Sequence, residues 1–118
     1  MTTCPDPAAI ARSSRLELLL WTQIGQACLE LPEWQYQIDG MGHKWDFAYP
    51  DLHILIECQG GTRGIGRHSR EPGYSQDRAR ANRATLDGWR VLEFTSAMLN
   101  DGSALETVRE VQIGRAHV

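Results

Sequence analysis

Two carboxylates with the spacing of a metal site lie in the middle of the chain. Asp46 and Glu57 are separated by an aromatic and apolar stretch that a two-residue turn, Pro50-Asp51, would fold into a hairpin. With that turn, Asp46 opposes Leu55 and is the diagonal neighbour of Glu57, about 7–8 Å away at the backbone. Two converging acids repel each other unless a cation joins them, and hard oxygen ligands select Mg²⁺ or Mn²⁺. We therefore predict a divalent-metal site at Asp46 and Glu57.

The residues that follow Glu57 could complete this site. Gln59 shares a face of the strand with Glu57, because residues two apart in a strand point the same way. The Cys58 carbonyl lies between them and could supply a third oxygen ligand. Alternatively, Asp46 is a polar strand-end residue and Glu57 faces solvent, and a one-residue register slip would move one of them to the other face. The geometry alone leaves both interpretations open.

Arginines are concentrated in one segment of the chain. Residues 60–90 contain seven Arg and three acidic residues, which gives this segment a charge of +4. The whole chain carries −3, so the remainder carries −7. A basic segment beside an acidic remainder suits an anionic polymer held near metal-binding carboxylates. The alternative is a solvated helix whose charges pair three and four residues apart.

Apolar periodicity and turn residues predict the elements that carry these side chains. Their order is α-β-β-β-α-β-α, which is an α/β fold. The first helix begins with a capping-box pattern, Ser14-x-x-Glu17, and Pro32 ends it. The predicted elements are a helix at 14–31, strands at 34–39, 44–49 and 52–58, a helix at 74–86, a strand at 89–95 and a helix at 104–111.

Composition excludes several other classes of protein. The 118 residues are 42% apolar with four Trp, which suits one globular domain with a core and not a disordered chain. No apolar run approaches the roughly 20 residues that cross a bilayer, and no signal-peptide pattern is visible. We therefore expect no membrane association and a cytoplasmic location. Cys4, Cys28 and Cys58 are too widely spaced for a zinc site or a disulfide framework.

The end of the chain resembles a sequencing artefact. Residues 113–118, Ile-Gly-Arg-Ala-His-Val, match one reading frame of a common sequencing-library adapter, and Gln112 fits that frame if its codon ends in the first two adapter bases. We therefore expect an N-terminal tail at 1–12, a domain at 13–111 and an artefactual segment at 112–118.

Several segments together resemble the PD-(D/E)XK nuclease superfamily. Residues 44–61 resemble its D-x(n)-E-x-K core, and residues 88–95 resemble the last strand of the very-short-patch-repair endonuclease branch. Residues 66–70 and 74–82 resemble small phage- and mobile-element-encoded relatives of that branch. The resemblance covers roughly residues 13–111. It implies a restriction-endonuclease-like αβββαβ core, in which helices flank a mixed four-stranded sheet, and an additional C-terminal helix.

The resemblance also implies DNA as the substrate and a metal ion held by Asp46 and Glu57. It places Glu17 near the site, although Glu17 could equally be the reciprocal half of the Ser14 capping box. Gln59 stands where the family has Lys, and Gln can orient a water molecule but adds no positive charge. This departure leaves open a catalytically inactive nuclease fold that only binds DNA.

The arginine-rich segment supplies the remaining candidates. His68 lies in a Gly-rich, Arg-flanked loop, where it could assist the leaving group, contact a phosphate or be an exposed loop histidine. Asn82 could reach the site from the second helix, whereas Asp77 is expected to pair with Arg80. His43 is interpreted as a structural or surface residue. The predicted phosphate contacts are Arg63, Arg67, Arg70, Arg78 and Arg83.

These features predict a metal-dependent DNA endonuclease that hydrolyses phosphodiester bonds. A nuclease of this size often needs a homodimer to cut both strands, so we expect the monomer to nick DNA. A DNA-binding module without activity is the alternative that Gln59 favours. A scaffold with no nucleic-acid role is a third alternative, which the arginine-rich segment disfavours.

Overall fold

A computed structural model of the chain describes residues 15–38, 40, 42–59 and 71–116. Within these ranges the chain forms one sheet and its flanking helices. The elements are α1 (Arg15–Gln26), β1 (Glu33–Gln37), β2 (Lys44–Tyr49), β3 (Ile54–Gln59), α2 (Glu71–Leu86), β4 (Arg90–Thr95), α3 (Ser96–Asp101) and α4 (Ser103–Ala116).

The sheet has four strands in the order β1-β2-β3-β4. Strand β2 is antiparallel to both of its neighbours, β1 and β3, whereas β4 is parallel to β3. A parallel pair needs a long crossover connection, and the segment that contains α2 provides it. The predicted α/β fold is confirmed: it is a mixed four-stranded sheet flanked by helices, with an additional helix at the C-terminal end.

Helices cover both faces of the sheet, which is why the middle of β3 is a continuous apolar run. The α1 face is packed by α1, α3 and α4, and the α2 face is packed by α2. The buried core of the α1 face consists of Leu20, Ile24, Phe47, Tyr49, Ile54, Ile56, Phe94, Leu99, Ala104 and Val108. The buried core of the α2 face consists of Trp45, Ala48, Leu55 and Ala84.

Helix α1 ends earlier than its apolar periodicity predicts. Cys28 adopts a left-handed conformation with a φ of 59°, and its N–H donates to the Gly25 carbonyl. The N–H of Leu29 donates to the Ile24 carbonyl at 3.2 Å. This is the Schellman pattern, in which a left-handed residue terminates the helix. The predicted end near residue 31 is therefore wrong, because the apolar spacing continues into Leu29, which packs on the core outside the helix.

The connection between β2 and β3 is also longer than predicted. Pro50–Leu52 form a 3-10 turn, and His53 follows with a left-handed φ of 56°. The His53 N–H donates to the Pro50 carbonyl at 3.1 Å, so four residues close the hairpin instead of two. Strand β3 consequently begins at Ile54, two residues later than predicted.

The longer turn shifts the register of the hairpin. Ala48 pairs with Leu55, so the predicted pairing of Asp46 with Leu55 is wrong. Continuing the same register brings Asp46 opposite Glu57. A shift of the partner by two residues leaves Glu57 on its predicted face, whereas a shift by one would have reversed it. The two acids are therefore direct neighbours instead of diagonal ones.

The C-terminal region contains two helices where the sequence pattern predicts one. Thr95 caps the short helix α3 by accepting a hydrogen bond from the Met98 N–H, and Gly102 ends it with a φ of 89°. Helix α4 then continues through residue 116. The Gln112 side chain bonds both backbone groups of Glu30, at 3.0 Å each. Of the described helices, none combines the length and apolar character that a membrane span requires.

Candidate active site

The two predicted metal ligands lie where β2 and β3 separate. The paired register runs as far as Phe47 and Ile56. Beyond it, the Asp46 N–H donates to Glu57 Oε2 at 3.3 Å, and the Cys58 N–H donates to Asp46 Oδ2 at 2.8 Å. Each carboxylate therefore binds an amide on the opposite strand, so the two acids converge at the fork between the strands.

Glu57 is held in an environment that disfavours its charge. Burial and then the negative charge of Asp46 raise the pKa of Glu57 to about 8. The hydrogen bond from the Asp46 amide opposes this rise, whereas the charges of Asp77 and Glu17 add to it. A carboxyl group in this position gains from a nearby cation, because the cation offsets both the repulsion and the loss of solvation.

Glu17 approaches the fork from helix α1. It is buried, with 8% of its surface exposed, and its Oε1 accepts a hydrogen bond from Gln35 Nε2 at 3.3 Å. Its charge acts on both Glu57 and Cys58. The structure therefore brings this predicted residue close to the carboxylate pair. The alternative capping role depends on Ser14, which lies outside the described residues.

Gln35 is a residue of the site that the sequence analysis missed. In the β1–β2 register it falls opposite Asp46, and its φ is 53°. This left-handed residue interrupts the strand alternation: Trp34 packs on the α1 face, whereas Tyr36 packs on the α2 face. A non-glycine residue in this conformation is strained, and such strain is frequently found at functional sites. Nothing in the local sequence signals it.

His43, which the sequence analysis interpreted as a structural or surface residue, lies beside Glu57. Its Nε2 lies 3.4 Å from Glu57 Oε2, and its ring stands perpendicular to Trp45 with centroids 4.9 Å apart. Burial, and then the charge of Arg80, lower the pKa of His43, while Asp77 opposes them. A charged His–Glu pair would shift both pKa values the other way, so burial and the surrounding charges dominate here. The sequence feature that could have indicated this role is the position of His43, directly before the strand that carries Asp46.

Cys58 contributes its backbone to the fork and not its thiol. The side chain packs against the core of the α1 face, and burial raises the pKa of the thiol well above its usual range. The thiol therefore stays neutral and is a poor nucleophile. Gln59 is the last residue of β3 and is half-buried. By strand alternation it lies on the same face as Glu57, as predicted.

One solved structure matches this fold along most of its length. The catalytic domain of homing endonuclease I-Bth0305I superposes with a TM-score of 0.63, over 86% of this chain and 97% of that domain. The two sequences are 16% identical, so the likeness concerns the fold. No protein-family model and no curated protein matches the chain.

Arg78, one of the predicted phosphate contacts, is turned towards the sheet. Its Nη2 lies 2.8 Å from Glu93 Oε2, and this ion pair ties α2 to β4. Glu93 is the register partner of Glu57 on the neighbouring strand, so the two acids are adjacent on the α2 face. The ion pair gives Arg78 a role in the packing of α2, and a phosphate contact by Arg78 stays a prediction.

The other predicted residues of α2 lie on its outer surface. Arg80 Nη1 contacts Asp77 Oδ1 at 2.7 Å, which is the predicted pair. Arg83 Nη2 contacts Asp87 Oδ1 at 2.9 Å, and Asn82 is exposed. These side chains are accessible to a ligand. The remaining candidates, Arg63, Arg67, His68 and Arg70, lie outside the described residues.

The oxygen atoms at the fork determine what it could hold. Among the residues with described positions, no group of three or more His, Cys, Asp and Glu side chains is arranged to bind a metal ion. A metal ion at the fork would therefore be held by the Asp46 and Glu57 carboxylates together with backbone oxygen. Oxygen ligands of this kind suit Mg²⁺ or Mn²⁺ and not zinc, which prefers nitrogen and sulfur.

Proposed function

We propose that this protein is a metal-dependent DNA endonuclease that hydrolyses phosphodiester bonds with Asp46 and Glu57 at its centre. The observation that carries the proposal is the reciprocal arrangement of these two carboxylates at the strand fork. A fold shared with a homing endonuclease catalytic domain supports it. The surface arginines of α2 supply positive charge next to the fork, which suits a polyanionic substrate.

The donor set at the fork fits Mg²⁺ or Mn²⁺. Burial, and then the negative charge of Asp46, raise the pKa of Glu57, and a bound divalent cation would offset both effects. Paired strand residues direct their N–H and C=O to the same neighbour, and the Cys58 N–H points to Asp46. The Cys58 carbonyl therefore faces the same fork and is our candidate for the third protein ligand. A bound cation would supply a lowered water pKa and charge neutralisation at the phosphate.

The protein's own residues then orient the reactants. Gln59, on the same face as Glu57, orients the attacking water through its amide. Glu17 and Gln35 hold the α1 side of the fork through their hydrogen bond. His68 assists departure of the 3′ oxygen, and Arg83 and Asn82 contact the backbone of the substrate. One such site cuts one strand, so the monomer nicks DNA, and a homodimer would be needed to cut both strands.

Cleavage of supercoiled plasmid tests the proposal. The wild type should convert it to the nicked form with Mg²⁺ or Mn²⁺ and not with EDTA. Asp46→Asn keeps the size of the side chain but removes its charge, and it should lower the rate by at least about 100-fold, the scale of losing one electrostatic contact in a transition state. Glu57→Gln should do the same.

Glu106→Gln is the matched control. Glu106 is an exposed acid on α4, where it pairs with Arg109. This variant should cleave at the wild-type rate. Equal rates for Asp46→Asn and Glu106→Gln would reject the fork as the active site, and cleavage in EDTA would reject the requirement for a metal.

A second function is favoured by Gln59, which supplies no positive charge where the resembled family has Lys. In this alternative the chain binds DNA without cutting it. Salt-sensitive DNA binding by wild-type protein that shows no cleavage with any divalent metal would support this function and reject the first.

A further inference from the structure

A basic groove begins next to the carboxylate pair. It lies between the start of β2 and α2, and it encloses about 560 Å³ while remaining open to solvent. Its floor and walls combine a glycine and an alanine, which leave room for a ligand, with four nitrogen-bearing side chains. The lining residues are Gly42, His43, Lys44, Ala79, Arg80 and Arg83.

The arginines of the groove have more N–H donors than their ion pairs use. Arg80 and Arg83 are three residues apart on α2, so they share one face of the helix. One nitrogen of Arg80 contacts Asp77, and one nitrogen of Arg83 contacts Asp87. A guanidinium carries five N–H donors, so each arginine can bind a further oxygen beyond its ion pair. Lys44 adds a third cation from β2, on the opposite wall.

His43 connects the groove to the fork. It lines the groove, and its Nε2 lies 3.4 Å from Glu57 Oε2. A polyanion with one phosphate at the carboxylate pair would therefore enter the groove when it continues past His43. Three cations there match a row of phosphates better than an isolated anion, because Lys44 lies on one wall of the groove and Arg80 and Arg83 lie on the other.

We propose that the groove binds the sugar-phosphate backbone of the DNA strand next to the cleaved bond, through Lys44, Arg80 and Arg83. This inference rests on the proposed endonuclease function and extends it to residues outside the fork. Phosphate contacts position a strand without reading its sequence. The groove accordingly fixes where the backbone lies and leaves sequence preference to other parts of the chain.

The salt dependence of DNA binding tests the groove. Binding is measured in EDTA with a short duplex, so that cleavage cannot interfere, across a series of salt concentrations. Lys44→Gln and Arg80→Gln should each weaken binding at every salt concentration and reduce the slope of log K against log[salt] by about 1, the loss expected for one phosphate contact.

The matched control is Arg109→Gln. Arg109 forms an ion pair with Glu106 three residues away, as Arg80 does with Asp77, but it lies on α4 at the other face of the sheet. Arg109→Gln should keep the wild-type slope. Slopes for Lys44→Gln and Arg80→Gln that equal that of Arg109→Gln, in folded proteins, would overturn the proposal.

A chemical measurement avoids substitution. Lys44 is the single lysine of the 118-residue chain, so an amine acetylating reagent reports on it without interference from other side chains. Saturating DNA should slow the acetylation of Lys44 at least severalfold, and high salt should restore the rate. An unchanged rate under saturating DNA would overturn the groove.

The groove and the endonuclease fail in different ways. Plasmid cleavage that depends on Asp46, together with unchanged salt slopes, would reject the groove alone. Reduced salt slopes for Lys44→Gln and Arg80→Gln, without any plasmid cleavage by the wild type, would reject the endonuclease function and support DNA binding in the groove. If the wild type does not bind DNA at low salt, both proposals are wrong.

Discussion

Asp46 and Glu57 each bind the backbone of the other's strand: the Asp46 amide donates to Glu57, and the Asp46 carboxylate accepts from the Cys58 amide next to Glu57. The two acids thereby replace hydrogen bonds that the strand pair would otherwise make to itself. This arrangement buries Glu57 beside a second carboxylate, and burial followed by the charge of Asp46 raises the pKa of Glu57.

The stability of the metal-free protein should fall as the pH rises. Native Glu57 holds its proton up to about pH 8, whereas the unfolded chain loses it near 4.5, so this group destabilises the fold progressively between these values. The charged groups that act on it are Asp46, Asp77, Glu17 and the neighbouring His43. Glu57→Gln should remove this slope and stabilise the protein at pH 8, by at most about 1.4 kcal/mol per unit of pKa shift.

Urea denaturation in EDTA at pH 5 and pH 8 measures this effect. The wild type should lose more free energy of unfolding between the two pH values than Glu57→Gln does. Parallel losses in the two proteins would show that Glu57 ionises normally. Glu106→Gln serves as the control, because it changes an exposed acid on α4.

The affinity of the protein for divalent metal should rise with pH, whereas the stability of the metal-free protein should fall. Metal binding requires the ionised form of Glu57, so Mg²⁺ or Mn²⁺ must displace the proton that is held up to about pH 8. The apparent affinity should rise about tenfold per pH unit below that value, because one proton is released. Calorimetric titration with Mn²⁺ in buffers of different ionisation enthalpy counts that proton. A pH-independent affinity would place the ion elsewhere, and Asp46→Asn should abolish the binding.

Gln59→Lys should strengthen catalysis. The added ammonium group would stand on the same face as Glu57 and supply the positive charge that Gln lacks. We expect plasmid nicking to accelerate by about tenfold or more, which is less than the roughly 100-fold that one preorganised electrostatic contact contributes. The pH at which activity becomes half-maximal should fall, because a cation lowers the pKa of Glu57. A slower variant with an unchanged pH profile would mean that position 59 does not face the phosphate.

Gln35 should prefer glycine over alanine. Its left-handed φ of 53° costs an L residue about 1–2 kcal/mol, and glycine avoids that cost. Both substitutions remove the hydrogen bond to Glu17. The difference in stability between the two variants therefore measures the cost of the left-handed backbone conformation alone. Gln35→Gly should be more stable than Gln35→Ala by roughly 1 kcal/mol in thermal or urea unfolding. The reverse order, which is usual in strands, would show that the backbone relaxes when the side chain is removed.

The sequence by itself determined the order of the four strands and of the helices, except for the extra short helix α3. Strand β2 has the predicted bounds, 44–49, because the turn residues on either side define it locally. The common face of Glu57 and Gln59 also follows from the period of two in a strand. These properties depend on a few neighbouring residues, so they can be read without knowledge of the rest of the chain.

Tertiary structure decided the register and the partners at the fork. Pro50 and Asp51 are compatible with both a two-residue and a four-residue connection, and the longer one is the observed connection, which aligns Phe47 with Ile56 in the core. The left-handed conformations of Cys28 and Gln35 carry no local signal, because each costs only about 1–2 kcal/mol, less than the packing it permits. The approach of His43 to Glu57 depends on that register, so residue types and spacing alone could not predict it.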